Sequence, residues 1–233
     1  KQLSTLFSKK AKGAAKVAAA LTIGTTILKN FAAKTAVIGE EFGALGMQSG
    51  EFKSTLLSSE VGAQRLGMGM KDVADVTKEL TTNFGFTNLE AANLSGKVLD
   101  TSRALGLSTS ESAKLFGTLI NIGGLSAETA EQFSESAAQL AKANGAAPTV
   151  VLKDLADSSE TIAKFTGMTP DNLAKAAIQA NKLGLSLKDI GGVAEGLLDF
   201  QGSLNKEIEA SVLLGRNINL QKARELALNN DLQ

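Results

Sequence analysis

Carboxylates are the main side chains in this 233-residue sequence that could support acid–base or metal chemistry, because it contains no His, Cys, Trp or Tyr and its only aromatics are ten Phe. That alphabet excludes a Ser-His-Asp triad, a thiol nucleophile, a zinc finger and a disulfide framework. Three pairs of carboxylates are close enough in sequence to cooperate: Glu40 with Glu41, Glu128 with Glu131, and Asp154 with Asp157. Each could serve as an acid and a base, or as hard-metal ligands. Adjacent or i,i+3 carboxylates on a helix usually form a solvated face instead, and Glu128 stands where a first helical turn would welcome its charge. Without His, a Gly-rich substrate loop or clustered aromatics to bind a sugar, the residues point to no catalysis, no cofactor and no metal.

Phosphate-binding signatures fail as well. Ser95-Gly96-Lys97-Val98 lacks the first Gly and the hydroxyl of a Walker loop. Gly67-Met68-Gly69 has no strand before it and no third Gly at the required place, so a helix-ending turn is the better reading. The Gly-Met-Gly-Met run could also act as an adaptable contact surface, since Met packs flexibly.

The elements that must position these residues are helical. Two Pro in the whole chain and a hydrophobic fraction of 43% favour a helix-rich globular body. Glycines recur at Gly67, Gly106, Gly145 and Gly184, 39 residues apart each time, with a second series at Gly85, Gly124, Gly167 and Gly202 between them. Several sit in one turn pattern: Leu105-Gly106-Leu107-Ser108, Gly124-Leu125-Ser126, Gly167-Met168-Thr169 and Leu183-Gly184-Leu185-Ser186, with Gly85-Phe86-Thr87 as a relative. The physical reading is that Gly takes a left-handed conformation at the end of one helix, the apolar residue packs back, and Ser or Thr caps the next. Thr87, Ser108, Ser126, Thr169 and Ser186 are the expected caps. Capping boxes pair Thr87 with Glu90, Ser108 with Glu111 and Ser186 with Asp189, and Pro170 follows Thr169 as a first helical residue.

Apolar residues between the turns keep helical spacing, as in Ala130, Phe133, Ala137, Leu140 and Ala141; Leu173, Ala176, Ala177, Ala180 and Leu183; and Leu187, Ile190, Ala194 and Leu197. Strand alternation is absent. The expected fold is all-α: consecutive short helices in helical hairpins with an approximate 39-residue repeat, preceded by a basic helical arm. Residues 1–66 read as that arm and a connector, and residues 67–233 as the hairpin body. Hairpins of this kind could stack as a small solenoid or gather into a compact cluster. The slip of register near Gly167 and the lack of a shared set of core residues favour the cluster. Gly192 and Gly196, with Gly191 beside them, form a small-xxx-small spacing that reads as close packing between two water-soluble helices.

Charge is uneven along the chain. Residues 1–39 hold seven Lys and no acidic residue, which leaves 17 basic against 24 acidic residues in the remainder although the formal net charge is zero. The uncharged run from 17 to 28 is too short to span a bilayer. Lys9, Lys10, Lys12 and Lys16 are the candidate contacts with an anionic partner, which could be the acidic body of another copy or a channel wall, with DNA or lipid as alternatives. The first residue, Lys1, and the unpunctuated end read as a piece of a longer or processed chain.

Short helices punctuated by Leu-Gly-Leu-Ser and followed by Ala-rich stretches, as in residues 105–113 and 124–130, resemble the tail tape-measure proteins of tailed bacteriophages. The resemblance is one of sequence style and extends over about residues 42–233. It implies a non-enzymatic structural virion protein, present in several copies in the tail tube, tip or baseplate. Its partners would be other copies of itself and the tail tube, tip or baseplate hub proteins, with weak DNA or membrane contact through residues 1–39. It would be assembled in the host cytoplasm, contribute to tail length control and leave at DNA delivery. The chain departs from the ruler portion of that family in lacking long uninterrupted heptads, and it lacks the peptidase or muralytic motifs of some members. A compact, anchored domain near the tip is therefore the expectation within the family. A helical-repeat adaptor or scaffold, and a membrane-active ejected protein, are the alternative functions.

Overall fold

A computed structural model describes residues 29–30, 32–43, 50–165, 169–229 and 232. Among these residues the chain is helical and contains no strand, so the all-α expectation is met. Residues 32–43 are helical (α1). They are followed by α2 (Gly50–Arg65), α3 (Met70–Phe84), α4 (Asn88–Leu105), α5 (Thr109–Gly117), a π-helical segment (Thr118–Ile122) and α6 (Ala127–Ala143). The rest comprises α7 (Pro148–Asp157), α8 (Ser159–Lys164), α9 (Pro170–Lys182), α10 (Leu187–Leu198), α11 (Phe200–Leu214) and α12 (Gln221–Leu228).

Packing follows from the short turns. From α2 to α7 each helix is returned at once against its predecessor, and the next one then reaches the helix before that, whereas α8 packs on the π-helical segment and on α10. In this way α2, α4, α6 and α9 touch in succession along one row, while α3, α5, α7 and α10 do so along a second. This stacked order differs from the compact cluster expected from the sequence. Turns of a few residues leave little chain with which to double back over an earlier layer, so contacts stay between near sequence neighbours.

The core also begins earlier than residue 67. Ile38 of α1 and Phe52 and Leu56 of α2 are buried in the same apolar cluster as Val73, Leu80, Leu99, Phe116, Leu152 and Ile178. Phe42 meets Phe52 edge-on, with ring centroids 5.0 Å apart. Glu60 of α2 is buried, and Lys34 of α1 neutralises it at 2.6 Å while Gln64 donates to its other oxygen. Helices α1 and α2 are therefore part of the stack, whereas the four Lys expected to bind an anionic partner (Lys9, Lys10, Lys12 and Lys16) lie outside the described residues.

Candidate functional site

Six of the eight glycines expected at turns have positive φ: Gly67, Gly85, Gly106, Gly124, Gly145 and Gly184. Behind each, the next residue sends its N–H back to the preceding helix, as Phe86 does to Leu80, Leu107 to Ser102, Leu125 to Leu119 and Leu185 to Ala180. These bonds satisfy carbonyls that a helix end would otherwise leave without a donor. Gly167 lies outside the described residues. Gly202 is a correction: it sits in the first turn of α11, where its N–H donates to the Asp199 side chain at 3.2 Å, so Asp199 starts a helix where an end was expected. The left-handed end in this region is Gly215, whose φ is 62°. It is followed by Arg216 and has no Ser or Thr cap near it, so it lacks the pattern that marked the others.

All five expected caps accept a backbone N–H from three residues on: Thr87 from Glu90, Ser108 from Glu111, Ser126 from Thr129, Thr169 from Asn172 and Ser186 from Asp189. The three capping boxes close reciprocally, with Glu90, Glu111 and Asp189 each accepting the N–H of its cap. Gly69 begins α3 in a related way by donating its N–H to Asp72, which makes the Gly-Met-Gly-Met run a helix-to-helix turn with Met70 buried. The Glu111 carboxyl is held down to about 2, first by the Ser108 N–H and then by Lys153, which reaches it from α7 at 3.0 Å.

The carboxylate pairs turn to structural partners. Glu131 and Glu128 converge on Lys97 of α4, at 2.8 and 3.7 Å. The hydrogen bond from Lys97 to Glu131 raises the pKa of the lysine. Glu41 meets Lys78 and Lys71, while Glu40 is exposed. Asp154 and Asp157 diverge. Asp157 pairs with Lys114, whereas Asp154 accepts the Leu187 N–H at 2.7 Å and so caps α10 from α7. Burial pushes the Asp154 carboxyl up, and the Leu187 N–H opposes that shift. A cleft of about 520 Å³ beside these groups is lined by Glu79, Asn83, Lys114, Asn121, Asp157 and Ser159. Its charged groups are engaged, since Asn83 donates to Glu79 and Lys114 pairs with Asp157. Among the described residues no group of three or more carboxylates is placed to hold a metal ion.

Two features had no counterpart in the sequence reading. The helix expected to run to Gly124 changes at Gly117 into the π-helical segment, which carries Asn121 to the end of α3, where its amide donates to the Phe84 carbonyl. Gly117 makes room for this approach, because a Cβ there would collide with the Phe84 ring. The second feature is a bare apolar face at the C-terminal end. Of the thirteen large hydrophobic residues exposed among the described residues, eleven lie at or beyond Leu183. Leu183 itself, expected in the core stripe of α9, is 72% exposed, because that helix ends at Lys182 and Leu183 falls in the turn.

The face is concentrated on α11. Phe200, Leu204, Ile208 and Val212 recur every four residues along it, and Ile208 and Val212 are 63% and 76% exposed. Leu214 lies beside its end, whereas Leu213, seven residues after Lys206, is exposed on the other side of the helix. Only Ser203 of this 15-residue helix is buried. What ties α11 down is Arg224 of α12, which pairs with Glu207 at 2.6 Å, donates to Ser203 at 3.0 Å and stacks over the Phe200 ring at 5.5 Å. The apolar spacing was legible in the sequence, but nothing there distinguished a covered stripe from an open one.

Comparison with models of known protein families, with curated proteins and with solved structures finds no match for this chain.

Proposed function

We propose that this chain is a non-enzymatic structural segment of a phage tail tape-measure protein, folded as a helical stack and seated in the tail tube, tip or baseplate of the virion. Three linked properties support the reading. The Leu-Gly-Leu-Ser turns that carry the resemblance end one helix and cap the next, five of the six carboxylates best suited to chemistry are spent on lysine pairs or a helix start, and an open apolar face is left for assembly. The last of these carries most weight, since an exposed apolar surface of this extent marks a contact site. The partners in this proposal are other copies of the chain and the tail tube or hub proteins, with Lys9, Lys10, Lys12 and Lys16 on an anionic surface.

The test is mass spectrometry of purified virions together with the mass of the intact parent protein. The reading expects peptides of this chain in tail particles and a parent chain far longer than 233 residues. Absence from virions of the producing strain overturns it. A helical scaffold outside a virion is the second reading, favoured by the stacked packing, and it expects the chain in a cellular complex instead. Among the described residues no helix is long and apolar enough to cross a membrane. The membrane-active alternative is tested by liposome leakage.

A further inference from the structure

We propose that Asn144-Gly145 is a self-modifying site: the Asn144 side-chain amide is lost without an enzyme, through a cyclic imide, and the acid that replaces it loosens the turn between α6 and α7. The inference does not depend on the proposed function.

This turn differs from its counterparts in one residue. Eight glycines among the described residues have positive φ, and seven of them follow Phe, Leu or Gly. Only Gly145 follows an amide side chain, and Asn144 is the one Asn in the sequence with Gly after it. Both residues are exposed, and a Cβ on Gly145 would meet nothing within 4 Å. The reaction needs that pairing. The main-chain nitrogen after the Asn must reach the side-chain carbonyl carbon, and a following residue without a side chain leaves the approach clear.

The atoms balance with water as the only co-reactant. Solvent base takes the proton from the Gly145 nitrogen, which bonds to Cγ of Asn144 and closes the imide ring. The Cγ–Nδ2 bond breaks, and the amide nitrogen leaves as ammonia after taking up a proton from solvent. Water then opens the ring at one of its two carbonyls. Opening at Cγ gives aspartate, whereas opening at the main-chain carbonyl gives isoaspartate, in which the chain runs on through Cγ and is one carbon longer. Nothing is oxidised or reduced.

The fold restrains this reaction without closing it off. At the end of α6 Asn144 has a ψ of 6°, its amide donates to the Leu140 carbonyl at 2.9 Å, and the Gly145 N–H donates to the Lys142 carbonyl at 3.1 Å. Both bonds must break and ψ must swing before the nitrogen meets Cγ. They belong to the last turn of a helix at the surface, where local opening costs least. The product then weakens the turn that formed it. A carboxylate cannot donate to the Leu140 carbonyl, and it sets negative charge at the C-terminal end of α6, where the helix carbonyls repel it. The longer backbone of isoaspartate also displaces the Ala146 N–H from the Ala141 carbonyl, which it meets at 2.9 Å just before α7 begins at Pro148.

The experiment ages the full chain in mildly alkaline buffer, folded and in denaturant, and follows the tryptic peptide 143–153 by mass spectrometry. Asn144 carries the only side-chain amide in that peptide, so the mass gain of an amide-to-acid change there reports this site. The expected result is that gain in both samples, severalfold slower in the folded chain, with aspartate and isoaspartate as two chromatographic species. Asn144→Asp, an exposed change that keeps the fold, should melt at a lower temperature than the parent and exchange amide hydrogens faster at the end of α6. A folded chain whose peptide stays unchanged while the denatured one converts overturns the proposal. Equal rates in the two samples overturn the restraint by α6, and an Asn144→Asp variant as stable as the parent overturns the effect on the turn.

Discussion

Arg224 of α12 lies 2.6 Å from the Glu207 carboxylate of α11, and both side chains are mostly buried. Ser203, one turn before Glu207, accepts a second bond from the same guanidinium. One arginine thus joins the last two helices of the stack at a point where α11 contributes almost nothing else to the core.

Removing that arginine leaves a buried carboxylate with no cation. Arg224→Met should therefore cost about 3 kcal/mol, with the loss confined to the C-terminal end because a stacked array can fray from its terminus. Hydrogen exchange should show α11 unprotected while α3 and α4 keep their protection. Adding Glu207→Leu to Arg224→Met should recover most of the stability; no recovery would mean that the arginine acts through packing on Phe200 alone.

Gly191 and Gly192 are neighbours in α10 with opposite surroundings. A Cβ on Gly191 would come within 2.5 Å of the Thr161 methyl on α8, whereas one on Gly192 would meet nothing within 4 Å. Gly191→Ala should destabilise by about 1–2 kcal/mol through overpacking, while Gly192→Ala should stabilise by about 0.5–1 kcal/mol through helix propensity. Thermal melts that move in the same direction for both variants would contradict the packing of α10 on α8.

At Gly106 the cost of a side chain comes from the backbone. Its φ is 70°, and an added Cβ would make only an ordinary contact with Thr149 at 3.6 Å. Gly106→Val should lose more than about 1 kcal/mol, and Gly106→Asn clearly less, because Asn tolerates the left-handed region and a β-branched residue does not. Denaturant midpoints give the comparison, and equal losses would assign the cost to crowding instead.

The capping box at Ser108 carries a pH signature. Glu111 is held down to about 2 from an ordinary value of 4.5, so the folded state prefers the ionised form. Its contribution is complete above the unfolded value and disappears as pH falls through the folded one. Glu111→Gln should lower stability by about 0.5–1 kcal/mol at pH 7, and the gap to the parent should close between pH 4.5 and 2. A gap that is constant across that window would show that the carboxylate charge plays no part.

Local chemistry is what the sequence by itself determined. A left-handed Gly, an apolar residue and a hydroxyl three residues before an acid make their hydrogen bonds within one turn, so Gly106 with Ser108 and Glu111, or Gly184 with Ser186 and Asp189, could be read without knowing what packs where. Gly202 escaped this reading because the helix there is set by Asp199, whose side chain was as suited to a helix start as any loop carboxylate. Tertiary structure alone decided the partners. Lys97 finds Glu131 from 34 positions away, Asp154 caps a helix that starts at Leu187, and Asn121 reaches the Phe84 carbonyl only after a π-helical turn. The same holds for burial. Ala130, Phe133 and Ala137 repeat at helical spacing and are covered, while Phe200, Leu204, Ile208 and Val212 repeat just as regularly and stay open. Periodicity marks a face, but whether another helix lies against it is decided by how distant elements pack.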